Sequence, residues 1–331
     1  MESNFYCVTG YGWSGSGAVV DLLKEYDGFI SIDSEYPLIS EPHGFIDLEI
    51  FLIQNWHFLR HHKAINDFLI FCKKINKKKS LYNINGINIG NKLSVDFMKI
   101  SYDFINEIID FSYKGRSRIN LYHLNKLENI ITKFKWKFFD KNYTKMYFSR
   151  PTEKKFLNAI QNFHIKLFEK YINNGFGNII LDQAIPANNM YRAMRYFPNS
   201  KLIIVDRDPR DIFADLVRSK GLIGPELNKL NIESVNKFIK WHTELRKTDN
   251  TVFKEELNKN ILKINFEDLV INYNKEVKKI SKFIGPELKQ TKNKYFDPSI
   301  SKKNIGLWKK INNQELMEKI KMEINYPYVN F

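Results

Sequence analysis

The sequence predicts an α/β fold: a doubly wound parallel sheet with a large helical insertion in its middle. Three observations predict it. A short apolar run at residues 5–9 (FYCVT) passes through a small-residue loop into an apolar helical face. A second run at residues 201–206 (KLIIVD) is apolar without alternation, as a strand covered on both faces must be, and leads through Pro209 into a helical pattern. Strand-like and helix-like segments alternate at both ends of the chain but not between residues 48 and 175.

Taken in order, residues 5–9 are the first predicted strand, followed by a loop at residues 10–17 (GYGWSGSG). Ala18, Val19, Val20, Leu22 and Leu23 then form one apolar face of a helix that ends near Glu25. Residues 29–32 read as a second strand, and residues 33–47 are polar and irregular, with Pro37, Pro42 and Gly44. Residues 48–175 read as mostly helical, interrupted by polar breaks at 73–80 and 83–91. Residues 178–182 are a compact apolar strand, with a helix near 188–196 and a stop at Pro198. After the 201–206 strand come helices at 208–218 and 232–245, a strand at 261–266 and a helix at 275–284 closed by Gly285-Pro286. A loop at 296–310 and a last helix complete the chain.

The 331 residues suffice for one large α/β domain, or for a core with a substantial insertion. Hydrophobic residues make up 43% of the chain and aromatics 15%, which supplies a packed core and argues against global disorder. The formal net charge of +15 attracts phosphates, sulfates, acidic glycans, nucleic acid or anionic membrane without choosing among them. Lys, Asn and Ile are used heavily throughout, so most lysines read as solvated surface. Cys7 and Cys72 lie far apart, with no second Cys or His at metal-ligand spacing; two lone thiols fit a reducing compartment and read as packed hydrophobes. The first residues carry no basic-apolar-small signal pattern, and no apolar run approaches the roughly 20 residues that span a bilayer. The expectation is a soluble, cytoplasmic, bacterial protein.

Four segments carry chemistry. The loop at residues 10–17 lies between strand and helix, where backbone N–H groups and the helix dipole favour an anion and Ser14 and Ser16 add hydroxyls. No Gly-Lys-Ser/Thr closes it, so it is not a Walker A loop. Gly10, Gly12 and Gly15 fit G-x-G-x-x-G, but no suitably placed acid ends a second strand. A tight turn packing helix on sheet is the alternative reading. The second segment, residues 205–211 (VDRDPRD), puts Arg207 and Arg210 where strand passes into helix, the crevice in which open α/β sheets bind ligands. Arg forks onto phosphate with fixed geometry; the alternative is a helix start with Arg207 in an ion pair. The third is residues 265–270 (NFEDLV) with the helix that follows. The fourth, residues 301–309 (SKKNIGLWK), reads by itself equally as an exposed lysine loop anchored by Trp308.

Together and in this order, the four segments resemble the sulfotransferase family. Residues 11–17 match its loop for the 5′-phosphosulfate of 3′-phosphoadenosine-5′-phosphosulfate (PAPS). Residues 202–211 resemble its 3′-phosphate segment, with Arg207 at the family's arginine. Residues 178–190 (NIILDQAIPANNM) resemble the strand and proline-containing loop before it, and residues 266–285 the family's "E-D-L … F-L-G" region. Residues 301–309 look like the late basic, Gly and Trp loop that closes over the nucleotide. The resemblance covers residues 4–47 and 176–310. It implies a P-loop-like three-layer fold as a single domain over residues 1–331: a core of 4–47 and 176–310, an acceptor-binding insertion of about 48–175, and a C-terminal helix at 311–331. It implies PAPS as co-substrate and no metal. It carries the donor site onto Gly12, Trp13, Ser14, Gly15, Ser16, Gly17, Arg207, Asp215, Lys302, Lys303 and Asn304.

Two positions depart from the family. Where its loop carries Lys or Arg before Ser-Gly, this chain has Trp13, and eight residues after Arg207, where the family has Ser, it has Asp215. A carboxylate beside a phosphate repels it unless Arg218 or a lysine intervenes. Lys302, Lys303 and Arg192 are candidate substitute cations, and Gln183 stands where many relatives have Lys.

Sulfuryl transfer resembles phosphoryl transfer: the group passes in line through a loose transition state, and the protein supplies position and charge. The acceptor needs a base. By position Glu35 resembles the base of the glutamate branch, followed by Glu41 and His43; the alternative is that Glu35 is a solvated loop acid. His57 and His61 have i, i+4 spacing but no Glu inside the motif, so they and His62 read as surface or interface residues rather than metal ligands. Residues 134–138 (FKWKF) alternate aromatic and basic, which suits a capsular or lipopolysaccharide glycan, and equally an ordinary amphipathic face. The expected function is sulfuryl transfer to a hydroxyl or amine of a glycan or small molecule. The alternatives are a catalytically weak nucleotide-binding protein of the same fold, a P-loop kinase or nucleoside-triphosphatase, which the missing loop lysine disfavours, and a nucleic-acid binder suggested by charge alone.

Overall fold

A computed structural model describes residues 4–81, 83–115, 124–138, 143–219, 229–247 and 258–327. Among them run nine strands: β1 (Asn4–Gly10), β2 (Phe29–Glu35), β3 (Lys78–Ser80), β4 (Asn83–Ile87), β5 (Phe111–Gly115), β6 (Thr144–Phe148), β7 (Asn178–Asp182), β8 (Ser200–Asp206) and β9 (Ile261–Asn265). The chain divides into two compact units, Met1–Pro37 with Tyr171–Phe331, and Leu38–Lys170.

The first unit is built on a five-stranded, wholly parallel sheet in the order β2-β7-β1-β8-β9. Parallel strands need cover on both faces, and the apolar runs of β1, β7 and β8 provide for it. Tyr6, Val8, Ile180, Ile203, Val205 and Ile264 share a core with Val19, Val20, Leu22 and Leu23 of helix Gly17–Leu23 and with Ile280 and Ile284 of helix Tyr273–Ile284. On the other side Phe5 meets Phe197 at 5.4 Å between ring centroids, and Tyr36 meets the same ring at 6.3 Å. The result is the α/β three-layer arrangement with a central parallel sheet. Helices Pro209–Ser219, Ile232–Leu245 and Gln314–Glu323 form a further apolar cluster through Phe213, Leu216, Phe238, Met317 and Ile320.

Polar groups fix these layers at defined points. The Tyr6 hydroxyl donates to the Ile284 carbonyl at 3.0 Å. The Lys201 ammonium donates to the Phe283 and Ile284 carbonyls at 2.9 and 2.8 Å, capping a helix C-terminus with positive charge. Glu25, fully buried, accepts from the backbone N–H groups of Tyr295 and Phe296, both at 2.9 Å, and from Gln290 and Lys294. Burial opposes its charge, but the bonds from Phe296, Lys294, Tyr295 and Gln290 outweigh it and hold its pKa below the ordinary value. The tail is thereby pinned beside the first helix before it enters the late basic loop.

The expected strands all form, and the second runs on to Glu35, with a register irregularity between Ser31 and Glu35 against β7. In the second unit the middle section is not helix alone. The polar breaks hold the antiparallel pair β3–β4, and a second pair, β5–β6, joins Phe111 to Phe148 and Gly115 to Thr144. Polar or mixed antiparallel pairs carry no long apolar run, so periodicity passes over them. Helices Phe45–Glu49, Arg60–Ile75, Phe97–Ile108 and Glu153–Asn173 pack around Phe45, whose ring lies 5.2 Å from those of Phe68, Phe104 and Phe163. Residues 134–138 end helix Lys126–Phe138, where Phe134 and Lys135 are exposed; the side chains of Trp136, Lys137 and Phe138 lie outside the described residues. The histidine reading is corrected. His61 and His62 are buried, and the His62 Nδ1 accepts from the Tyr147 backbone N–H at 3.1 Å. Burial, helped by the neighbouring His61, lowers the His62 pKa to about 4. Both are core histidines of an amphipathic helix, and His57 alone is exposed.

Candidate active site

The loop after β1 lies where the connections leave the sheet in opposite directions, from β1 towards β2 and from β8 towards β9, the switch point at which such sheets bind ligands. Gly12, Trp13 and Gly15 take left-handed backbone angles (φ +80°, +51° and +82°), which turns the loop tightly into helix Gly17–Leu23. At Gly15 a Cβ would stand 2.5 Å from Cδ2 of Phe266, so only glycine allows the loop to lie on that ring. Gln183 cross-links the loop to the sheet. Its Nε2 donates to Ser16 Oγ at 2.7 Å, and its Oε1 accepts from Thr9 Oγ1 at 3.0 Å.

Arg207, at the end of β8, is 3% exposed. Its NH1 donates to the Trp13 carbonyl at 2.9 Å and to Asp215 Oδ2 at 3.0 Å, and its NH2 donates to the Asn304 carbonyl at 2.7 Å. Among the described residues its Nε finds no hydrogen-bond partner. The other Asp215 oxygen accepts from Arg218, itself exposed, at 2.7 Å. The late basic loop is held by the same helix start. Asp211 accepts from the backbone N–H groups of Gly306 and Trp308 at 2.8 and 3.0 Å, and Arg210 stacks on Trp308 with 4.0 Å from Cζ to ring centroid. Glu267 accepts from the Asp208 backbone N–H at 2.9 Å and from the Tyr326 hydroxyl at 3.1 Å. Burial pushes its pKa up to about 7.

These groups surround a cavity of about 430 Å³ lined by Trp13, Gly15, Gly17, Arg207, Asp215 and Asn304 among others, with Phe266 and Ile300 as apolar walls. Gly12, Ser14 and Ser16 shape the loop without lining it, and Lys302 and Lys303 are exposed and also outside its lining. Trp13 packs edge-on to Trp241 at 6.4 Å and belongs to the apolar cluster of the flanking helices.

A second cavity, of about 370 Å³, shares Gly17 and Asp21 of the first helix with the first. Glu35, Asp182, Asp33, Ser34 and Lys24 line it. Glu35 pairs with Asp182 in the β2–β7 register. Burial first, and the Glu35 charge second, raise the Asp182 pKa to about 6, while Lys24 pulls the other way. Lys24 is itself bridged to Asp33 at 2.7 Å and Asp21 at 3.2 Å. Glu41 and His43 belong to the second unit and are exposed there, with the His43 ring 3.7 Å from Asp67. Sequence reasoning missed Lys24, Asp21 and Asp182. The signal for Asp182 was present, an acid ending an apolar parallel strand, but its pairing with Glu35 depends on which strand β2 joins.

Fold and site together define an α/β protein whose first strand delivers a glycine-rich loop beside a buried arginine. Residues 131–290, just under half of the chain, match the model of the sulfotransferase family. Over that span the chain is similar to the sulfotransferase family; the match includes Arg207 and Glu267 and begins inside the section where no resemblance was seen. No curated protein sequence matches the chain. Among solved structures, a retinol dehydratase in complex with androsterone and inactive cofactor PAP is 15% identical, covering 53% of this chain and 67% of that one with a TM-score of 0.23, a likeness that carries no argument. Among the described residues no helix is long and apolar enough to cross a membrane, and no group of three or more His, Cys, Asp or Glu is placed to hold a metal ion.

Proposed function

We propose that this chain transfers the sulfuryl group of PAPS to a hydroxyl or amine of a small molecule or glycan. The observation that carries the reading is the meeting, in one cavity at the switch point, of the glycine loop with Arg207 and Asn304, next to a second cavity that holds Glu35. The buried Nε of Arg207 and the close glycine backbone suit an anionic nucleotide. In this reading the loop N–H groups at Ser14–Gly17 hold the 5′-phosphosulfate, Gln183 orients Ser16, and Arg207 with Asn304 faces the 3′ side. The late loop, drawn in by Asp211, covers the nucleotide. Glu35 takes the acceptor proton while the new S–O or S–N bond forms and the bond to the 5′-phosphate oxygen breaks, leaving 3′-phosphoadenosine-5′-phosphate (PAP). The insertion, residues 48–175, selects the acceptor, and the setting is the bacterial cytoplasm.

The test is a transfer assay with PAPS and a panel of phenols, amines and glycans, reading PAP release and sulfated product by mass. Release of PAP that depends on acceptor supports the reading, with Glu35→Gln retaining PAP binding while turnover falls. A second reading, a donor-binding protein with weak catalysis, draws on Trp13. Its side chain packs on Trp241 where the family places a cation. PAP binding without release from any acceptor favours that reading, and absence of PAP binding removes both.

A further inference from the structure

We propose that Asp215 is a specificity-determining residue of the donor cavity: by holding Arg207 in a neutral pair, it removes most of the preference for a nucleotide bearing a 3′-phosphate over one with a free 3′-hydroxyl. The inference rests on the reading of this cavity as the donor site.

Arg207 is the buried cation of the cavity, but its charge is matched inside the protein by Asp215 at 3.0 Å. Three of its hydrogen bonds go to protein oxygens, those of Trp13, Asp215 and Asn304. Asp215 cannot easily turn away. Arg218 holds its second oxygen, and its helix is anchored by the fully buried Ile212, Phe213 and Leu216. The charged side chains lining the cavity are Arg207 against Asp21, Asp215 and Asp297, one cation against three carboxylates, and Lys302 and Lys303 are not among them. A phosphate dianion brought to Arg207 meets the Asp215 carboxylate there, whereas a ribose hydroxyl can donate to that carboxylate and accept from Arg207 Nε. The serine of the family would leave the guanidinium charge uncompensated and add a donor. One substitution thus changes what the subsite rewards, without altering the loop that takes the 5′ group.

Calorimetric titration of the purified full chain with PAP and with adenosine 5′-phosphate tests this, on the wild type, Asp215→Ser and the near-isosteric Asp215→Asn. Thermal unfolding verifies that each variant is folded. The wild type is expected to bind the two nucleotides within about threefold of each other, and each variant to raise the PAP preference by about tenfold or more, the worth of one charge-assisted hydrogen bond. Adding Arg207→Gln to Asp215→Ser abolishes the gain, which a merely structural role for Asp215 does not predict. A wild type that already prefers PAP by about 100-fold, or variants whose preference is unchanged, overturns the inference and leaves the donor site standing. Failure of every folded form to bind either nucleotide overturns the inference together with the donor-site reading.

Discussion

Glu35 and Asp182 stand opposite one another in register at the carboxyl ends of β2 and β7, and burial together with the Glu35 charge raises Asp182 to a pKa of about 6. If Glu35 accepts the acceptor proton, ionisation of Asp182 beside it adds a second negative charge and makes Glu35 the stronger base. The rate is therefore expected to rise with pH through about 6 and level off above it, and Asp182→Asn should remove that inflection. Glu35→Gln is expected to lower kcat by about 10²–10⁴-fold. A pH–rate profile of the three proteins checks this, and a profile flat through pH 5–7 in the wild type removes the pair from catalysis.

The same raised value makes a stability prediction. A carboxyl whose folded pKa exceeds its unfolded one contributes stability that is complete below the unfolded value and lost as pH rises through the folded one. Asp182 thus weighs against folding above pH 6, and Asp182→Asn should gain about 1–3 kcal/mol at pH 7. Denaturant unfolding at pH 4 and pH 7 measures it. The variant's advantage should shrink at the lower pH.

Glu267 carries the larger version of this effect. Its pKa of about 7 comes mainly from burial, against bonds from Asp208 and Tyr326 that favour the charge. Its stability contribution is complete below the unfolded range near 4.5 and falls as pH climbs through 7. Glu267→Gln keeps an acceptor for the Asp208 N–H and should flatten the pH dependence of unfolding between 5 and 8. Glu267→Ala leaves that buried N–H without a partner and should cost about 2–4 kcal/mol at pH 5 and less above pH 7, where the wild type has lost its own Glu267 contribution. Equal pH slopes in wild type and Glu267→Gln would count against this account.

Much of this was legible in the sequence, and the reasons are physical. The strands of the parallel sheet are covered on both faces, so β1, β7 and β8 read as unbroken apolar runs. The loop after β1 declares itself through Gly12 and Gly15, whose backbone angles side chains rarely adopt. Arg207 was findable because a strand end is where charge is needed. The β3–β4 and β5–β6 pairs were not legible, because the exposed strands β3 and β5 need no apolar alternation. Nor was the partnership of Glu35 with Asp182, since strand order is a property of the whole sheet. Lys302 and Lys303 looked like phosphate ligands by composition, but in the fold it is the Asn304 carbonyl of that segment that meets Arg207.

Gly15 is constrained by both its backbone angle and its surroundings. It combines φ +82° with a site where a methyl group would meet the Phe266 ring at 2.5 Å. Gly15→Ala must therefore push the loop off Phe266 or strain the backbone. The expected cost is about 1–3 kcal/mol in stability, together with a loss of nucleotide affinity greater than that caused by Gly175→Ala, a control glycine with φ +90° and nothing near its Cβ position. Thermal unfolding and nucleotide titration of the two variants separate backbone strain, which both share, from the clash with Phe266, which only Gly15→Ala suffers.

The Arg207–Asp215 pair gives a test that needs no ligand. Both side chains are largely buried, so removing one partner leaves an uncompensated charge, whereas removing both does not. Arg207→Ala is expected to cost about 3–5 kcal/mol, because it strands Asp215 with the exposed Arg218 alone and also frees the Trp13 and Asn304 carbonyls. Arg207→Leu with Asp215→Leu should cost clearly less than the sum of its single changes, giving a favourable coupling of about 1–3 kcal/mol in a double-mutant cycle. A coupling near zero would mean that the two side chains are solvated independently. Asp215 would then not neutralise Arg207, whose remaining hydrogen bonds are those to the Trp13 and Asn304 carbonyls.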